Sequence, residues 1–188
     1  YAFPFSSTRL TFFGKIKVDG EDLKKIPGNM IRSRIVYINQ NDFLFDASSK
    51  ENCTLFFSYD VSPTLVSAME SEELLEKDYS TTVMSGGERQ KIAFLRGFSK
   101  KSDILICDEA ESAMDILAKK RFIELLKKDK ERINVSITHT INDSLKEYDR
   151  ILYFKHGVLV EQGSFDELYS KKKEFYKFYC NKTVCMTE

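Results

Sequence analysis

Residues 83–115 decide the fold, and they read VMSGGERQKIAFLRGFSKKSDILICDEAESAMD. A serine and two glycines, Ser85–Gly87, precede a pattern that predicts a helix. An apolar run within residues 104–109 (ILICDE) then predicts a buried strand that ends in two adjacent acids. A loop of small residues closes on a third acid, Asp115. Acids at the carboxyl end of a strand lie where ligands bind in open α/β sheets, so this edge is the candidate site.

The rest of the chain alternates strands and helices around this stretch. The predicted strands are GKIKVDG from Gly14, Ile35–Ile38, Ile104–Cys107 and Val135–Ile137, with a hairpin formed by Arg150–Phe154 and Val158–Gln162. The predicted helices are one or two short ones within Ser62–Lys77, then Ser85–Phe98, Ile116–Asp129, Ile141–Glu147, one that begins at Ser164 and a terminal amphipathic one. This order predicts an α/β fold with a mostly parallel sheet flanked by helices.

Composition limits the classes of function. With 188 residues the chain is long enough for one domain with a buried core. Its 29 basic and 29 acidic side chains cancel, so no overall charge favours nucleic acid, and we expect no nucleic-acid partner. The chain has no apolar run of about 18–20 residues, the length that spans a bilayer. Its four cysteines lack zinc-site spacing and fit a reducing, cytosolic setting, and Cys107 is predicted to be a small buried hydrophobe.

Each candidate residue also has a structural interpretation. Asp108 can hold Mg²⁺ and Glu109 can polarise a water for attack on a phosphate, although many strands simply end in solvated acids. The glycines after Ser85 let a backbone approach an anion at a helix start, or they form an ordinary capped turn. His139 follows a strand and is either a phosphate or water ligand or a structural side chain. His156, at a hairpin tip, is expected to be exposed and inert.

Five apolar side chains within residues 43–57 show no clear period: Phe43, Phe45, Leu55, Phe56 and Phe57. They form either part of the core or an aromatic surface on which a partner helix docks.

In this order the segments resemble the ATP-binding cassette (ABC) ATPases, specifically the nucleotide-binding domains of ABC exporters, including the bacteriocin-peptide type. The stretch at 83–115 resembles the family's signature helix, Walker B strand and D-loop, and YINQNDFLF resembles its Q-loop. KIKVDGEDL resembles the strand and turn after the phosphate-loop helix, SITHT the switch-histidine segment, and DRILYFKHGVLVEQGSFDELYSKKKEFYKFY the exporter end. The resemblance covers Gly14 to Tyr179. It implies a P-loop NTPase-like fold with a short helical signature subdomain at about 43–100.

The resemblance also implies ATP and Mg²⁺ as cofactors and a role for each site residue. Asp108 would support Mg²⁺, Glu109 would be the general base, and His139 would sense the γ-phosphate. Gln40 would contact both Mg²⁺ and the attacking water. A set of signature residues would contact the γ-phosphate of ATP bound to a second ABC ATPase domain: Ser85, Gly86, Gly87 and Glu88. Asp115 would lie at the seam of that dimer, and the domain would work at the cytoplasmic face of a membrane.

The chain departs from the family's pattern in its phosphate loop, in the adenine-stacking aromatic and at two signature positions. The phosphate loop GxxGxGK[ST] and the adenine-stacking aromatic upstream of it do not occur, and Met84 and Glu88 replace the signature's usual Leu and Gln. FSSTRL is only faintly similar to the end of that loop, and Arg9 is no assumed substitute for its lysine. Three explanations stay open: the sequence is an N-terminally truncated piece of a longer exporter, the gene is damaged, or the domain is degenerate.

The hypotheses about function depend on which of these explanations holds. The leading hypothesis is ATP hydrolysis that drives export through an associated membrane domain, and whether this chain hydrolyses ATP at its own site stays open. The first alternative is a non-catalytic cassette that completes the ATP site of a partner. A second is an ABC protein acting on ribosomes, which usually has two cassettes and a charged linker.

Overall fold

The computed structural model describes residues 14–40, 43–76 and 83–182. The predictions for FSSTRL and Arg9, for residues 41–42 of the Q-loop segment and for one of the four cysteines, Cys185, lie outside these ranges. The strands are β1 (Lys17–Val18), β2 (Glu21–Asp22), β3 (Ile35–Asn39), β4 (Ile104–Asp108), β5 (Ile133–Ile137), β6 (Ile151–Lys155) and β7 (Val158–Gly163). The α-helices are α1 (Gly28–Arg34), α2 (Ser49–Thr54), α3 (Pro63–Ala68), α4 (Glu72–Glu76), α5 (Gly86–Ser99), α6 (Ile116–Lys128), α7 (Phe165–Ser170) and α8 (Glu174–Lys182). Short 3-10 helices cover Leu23–Lys25 and Asp143–Glu147.

A parallel sheet in the order β3-β4-β5 carries the candidate site. In its register Asn39 pairs with Asp108, and Asp108 pairs with Ile137. The three strands therefore end level, and the residues that follow them meet at one edge. This confirms the predicted α/β class with a mostly parallel sheet.

One face of this sheet packs against α5 and α6 to form the main core. Every second residue of β3 and β4 is buried there, because side chains alternate between the faces of a strand: Val36, Ile38, Leu105 and Cys107. Phe94 of α5 and Phe122 of α6 lie with ring centroids 4.7 Å apart above the strands. Burial raises the pKa of the Cys107 thiol to about 12, so Cys107 is a neutral, small hydrophobe, as predicted.

Helix α5 reaches the sheet because Gly97 has no side chain. A Cβ atom at Gly97 would lie only 2.5 Å from Cδ1 of Ile38 and 3.3 Å from Cγ1 of Val36. Both neighbours are buried and have little room to move. Glycine at this position therefore sets the distance between α5 and β3, and with it the position of the signature turn at the start of α5.

A second hydrophobic cluster joins the C-terminal hairpin, formed by β6 and β7, to α7 and α8. Its buried members are Leu145, Phe165, Leu168, Phe175 and Tyr179. The Glu161 side chain of β7 accepts a hydrogen bond of 2.7 Å from the Phe175 backbone N–H at the start of α8. Among the described helices none has both the length and the apolar character that crossing a bilayer requires.

Several predicted elements differ in extent. The strand predicted from Gly14 is a two-residue ladder in a small hairpin, because Asp19 and Gly20 both have positive φ angles and turn the chain back at once. The segment predicted as a helix at 141–147 is a 3-10 turn at Asp143–Glu147, with Asn142 as its N-cap. The helix predicted to begin at Ser164 and the terminal amphipathic helix are both present, as α7 and α8.

Candidate functional site

The carboxyl edge of the sheet brings together two predicted site residues, Glu109 and His139. Glu109 directly follows β4, and His139 lies two residues beyond the end of β5. The Glu109 N–H donates to the Ile137 carbonyl at 2.9 Å, which fixes the two segments side by side. Nδ1 of His139 then lies 2.8 Å from Oε1 of Glu109. A carboxylate and an imidazole in contact at a sheet edge can accept and relay a proton.

The backbone at Glu109 is in the left-handed region, with φ of 50°. Residues with a Cβ atom are uncommon there, and the conformation costs of the order of 1–3 kcal/mol. The turn redirects the chain out of β4, so Glu109 does not continue the strand. The His139 side chain is 73% exposed and that of Glu109 30% exposed, so the pair remains open to a ligand or water.

Asp108 is anchored by a residue that the sequence analysis did not single out. The Tyr37 hydroxyl, on β3, donates to Oδ2 of Asp108 at 2.6 Å. The two-residue period of a strand places Tyr37 and Asn39 on one face, and the pairing of Asn39 with Asp108 in the sheet brings Tyr37 to Asp108. We refer to Asp108, Glu109 and His139 as the strand edge.

The donors near this edge fit Mg²⁺. Asp108 and Glu109 supply carboxylate oxygens, and the exposed Gln40 directly follows β3. Mg²⁺ is usually held by one or two carboxylates, with waters and phosphate oxygens completing its shell. Among the described residues no three His, Cys, Asp or Glu side chains group closely enough to hold a metal by themselves.

The signature turn, Ser85–Glu88, is a capping box at the start of α5. The Ser85 hydroxyl accepts from the Glu88 N–H at 3.3 Å, and the Glu88 carboxylate accepts from the Ser85 N–H at 2.7 Å. The first N–H groups of a helix have no partner within the helix and carry the positive end of its dipole. Gly86 and Gly87 therefore present backbone without side chains at the N-terminus of a 14-residue helix. This geometry is suited to an anion.

The D-loop, Ser112–Asp115, lies against the signature turn. A Cβ atom at Gly87 would lie 3.0 Å from the Ala113 carbonyl oxygen, so glycine permits this close approach. Asp115 is the N-cap of α6 and accepts from the Ala118 N–H at 2.8 Å. That hydrogen bond, with a lesser contribution from the charges of Lys91 and Arg121, lowers the pKa of Asp115. We refer to the signature turn and the D-loop together as the signature edge.

Gln90 of α5 connects the predicted site segments and was also missed by the sequence analysis. It is buried, and its amide contacts the Gln40 carbonyl, the Ser112 hydroxyl and the Ala113 N–H. A buried glutamine five residues after a signature serine could have been noticed. Which segments it contacts depends on the packing of α5 against the sheet.

The aromatic residues of 43–57 form a surface patch, which favours the second of the two interpretations offered above. Phe43 and Phe57 are 62% and 65% exposed, and Phe45 packs edge to face between Phe43 and Phe56 at centroid distances of 5.1 and 5.2 Å. Leu55, Phe56 and Phe57 all have positive φ angles, between 49° and 62°. This run turns the chain sharply after α2 and directs large apolar side chains outward.

Residues 9–112 match the sequence pattern of the family described as ABC transporter. Multidrug resistance protein 3 of Entamoeba histolytica is 30% identical over 179 residues, which cover 87% of this chain and 14% of that protein. The alpha-factor-transporting ATPase of Saccharomyces cerevisiae is 29% identical, with coverage of 90% and 14%. The chain thus spans a small part of these relatives.

A solved structure of a bacterial Atm1-family ABC exporter with ATP bound has the same fold. Its TM-score is 0.80 at 23% identity, and the likeness covers 91% of this chain and 32% of that one. The chain therefore belongs to the ABC transporter family. Within the family it matches the ATP-binding domain of the exporters, as the resemblance predicted.

Proposed function

We propose that the chain is a single ATP-binding unit that couples ATP binding and hydrolysis to export through an associated membrane domain. The contact of 2.8 Å between Glu109 and His139 carries the proposal, since it places a proton acceptor and an imidazole beside Asp108. We assign α2–α5, at about 43–100, as its helical subdomain. These helices share one hydrophobic core with the sheet.

The proposed chemistry assigns a role to each group of the strand edge. Glu109 accepts a proton from the attacking water, and His139 orients the Glu109 carboxylate when its Nδ1 is protonated. Asp108, held by the Tyr37 hydroxyl through Oδ2, would help to hold Mg²⁺ with its carboxylate. When bound, Mg²⁺ neutralises charge on the phosphates. Gln40 would approach the same metal and water from the end of β3.

The 188 residues do not explain how this chain would hold a phosphate at its own site. The phosphate loop supplies a nest of N–H groups and a lysine, and that motif does not occur in the sequence. The signature edge does fit a phosphate, because it combines a helix start, two glycines and the Ser85 hydroxyl. We therefore assign Ser85, Gly86, Gly87 and Glu88 to a nucleotide held by a second ABC ATPase domain, with Asp115 at the seam.

We assign the aromatic patch as the surface that binds the membrane partner. Exposed phenylalanines at neighbouring positions are suited to an apolar helix, and large exposed apolar patches commonly mark interaction sites. The patch begins three residues after Gln40, so a partner that rests on it is close to the candidate site. In this arrangement the domain works at the cytoplasmic face of the membrane.

The experiment mixes the purified chain with an intact exporter ATPase domain that has its own phosphate loop, and measures ATP turnover. The wild-type chain is expected to raise turnover and Ser85→Arg is expected not to, because the arginine blocks the helix start. Ser164→Arg is the matched control, since Ser164 forms the same capping box on α7. Equal turnover with the wild type and Ser85→Arg would count against the proposal.

A second candidate function is a non-catalytic cassette that offers only its signature edge, and the helix start with two glycines and the Ser85 hydroxyl favours it. Glu109→Gln separates the two candidates in the same mixture. If the strand edge hydrolyses ATP, Glu109→Gln lowers turnover, because an amide does not accept the proton. If the chain contributes only the signature edge, Glu109→Gln leaves turnover at the wild-type level while Ser85→Arg abolishes the stimulation.

A further inference from the structure

Both the nitrogen and the oxygen of the Gln90 side-chain amide make hydrogen bonds. It lies in the second turn of α5 and is 5% exposed. Its Nε2 lies 2.9 Å from Oγ of Ser112 and 3.3 Å from the Gln40 carbonyl oxygen. Its Oε1 accepts from the Ala113 N–H at 2.7 Å. A primary amide has two N–H donors, and both have an acceptor here.

The orientation of this amide is fixed by its partners. The Ala113 N–H can only donate and the Gln40 carbonyl can only accept, so an exchanged amide would face a donor with a donor and an acceptor with an acceptor. A buried polar group left without a partner has lost its hydrogen bonds to water and gained none in exchange, and this cost holds the amide in one orientation. Gln90 therefore determines where Ser112 and Ala113 lie relative to α5.

The three segments joined by Gln90 belong to both edges of the site. Its own helix carries the signature turn, and Ser112 and Ala113 belong to the D-loop. Gln40 lies 50 residues away at the end of β3, beside the strand edge. The Gln90 side chain thus links α5 directly to the end of β3 through one hydrogen bond and to the D-loop through two.

We propose that Gln90 is a positioning residue that holds the D-loop and the end of β3 in one geometry with the signature turn. Its consequence rests on the proposed function: when a partner's nucleotide engages the signature turn, Gln90 transmits the contact to Gln40 and Asp115. The alternative is a buried amide that stabilises the core generally and positions nothing in particular.

Amide hydrogen exchange on the isolated chain distinguishes these roles without any partner or nucleotide. Gln90→Met keeps the volume and removes all three hydrogen bonds. We expect the Ala113 amide to exchange at least tenfold faster in Gln90→Met, while amides of the hairpin β6–β7 keep their wild-type rates. A parallel rise at both places, or no change at Ala113, would overturn the assignment.

Two further variants keep the test decisive. Gln90→Glu retains the acceptor for the Ala113 N–H and loses the paired donors, so Ala113 is expected to stay protected. A loss as large as in Gln90→Met would contradict the assigned hydrogen bond, and Gln90→Glu serves alone if Gln90→Met does not fold. Asn134→Leu is the control, because Asn134 is a half-buried amide that bonds the Leu126 and Asp129 carbonyls away from the site. It is expected to leave Ala113 at its wild-type rate.

The turnover mixture then tests the consequence separately. If Ser85→Arg abolishes stimulation and Gln90→Glu reduces it, both proposals stand. If the exchange experiment succeeds and the wild-type chain does not stimulate turnover, Gln90 positions the D-loop and the proposed function fails. If Gln90→Glu stimulates as the wild type does, transmission through Gln90 is excluded.

Discussion

The two edges of the candidate site are built by different kinds of contact. At the signature edge, the turn and the D-loop are each fixed by pairs three residues apart, Ser85 with Glu88 and Asp115 with Ala118. The contact between the two, at Gly87 and Ala113, joins residues distant in sequence. The strand edge depends on pairs distant in sequence, since Glu109 and His139 are 30 residues apart and Tyr37 and Asp108 are 71 apart. Local geometry is therefore encoded in the sequence at one edge. At the other edge it exists only when three strands are in register.

A substitution at Gly97 tests the packing of α5 against β3, which joins the two edges. It has the largest expected effect on stability. In Gly97→Ala the new methyl group would meet Ile38 at 2.5 Å, so α5 must move away from β3. Overpacking a core typically costs about 1–3 kcal/mol. Urea unfolding should show a loss of this size. Gly86→Ala is the control, because its methyl group would lie 3.5 Å from Cβ of Ala113, an ordinary contact. Equal losses in both variants would contradict the role of Gly97.

Ser85 and Ser164 test whether the signature edge is only a local structure. Both serines close a capping box, with Oγ to N–H distances of 3.3 and 3.2 Å. Replacing such a cap by alanine typically costs about 1 kcal/mol. Ser85→Ala and Ser164→Ala should therefore lower the free energy of unfolding equally, as measured in urea. A clearly smaller loss for Ser85→Ala would show that its turn is strained in the free chain.

Features that depend on local pairs could be predicted from the sequence, and features that depend on distant pairs could not. The start of α5, the apolar run of β4 and the capping box at Ser164 were predictable, because each depends on residues within one turn or one strand. Family resemblance supplied the roles of Glu109 and His139, and the structure supplied their contact. Tyr37 and Gln90 could have been noticed as polar residues in predicted elements, but nothing local shows which groups they contact. Their partners are set by sheet register and by the distance of α5 from β3.

The conformation of Glu109 tests whether the strand edge stores strain. Glu109→Ala removes the contact with His139 and keeps a Cβ atom at a positive φ angle, whereas Glu109→Gly also removes the Cβ atom. A non-glycine residue in the left-handed region is less stable than glycine by about 0.5–1 kcal/mol after the greater freedom of unfolded glycine is counted. Glu109→Gly should therefore be more stable than Glu109→Ala in urea. Equal stabilities would mean that the turn is unstrained.

Asp115 gives the smallest expected effect and isolates charge at the signature edge. The Ala118 N–H holds the pKa of Asp115 below its ordinary value of 3.8. Because the folded pKa is lower than the unfolded one, the ionised carboxylate stabilises the fold above pH 3.8, and this contribution disappears as the pH falls through the folded pKa. Asp115→Asn keeps the cap, since asparagine caps helices about as well, and removes the charge.

The melting temperatures of Asp115→Asn and of the wild type are therefore compared as a function of pH. The difference between their melting temperatures should be small, because exposed charges contribute little, and it should be largest near neutral pH and vanish below the folded pKa. Asp115→Ala serves as the control that also loses the cap, and it should remain less stable than Asp115→Asn throughout. A constant difference between wild type and Asp115→Asn down to acid pH would contradict a charge effect. The D-loop end of the signature edge would then be held by the hydrogen bond alone.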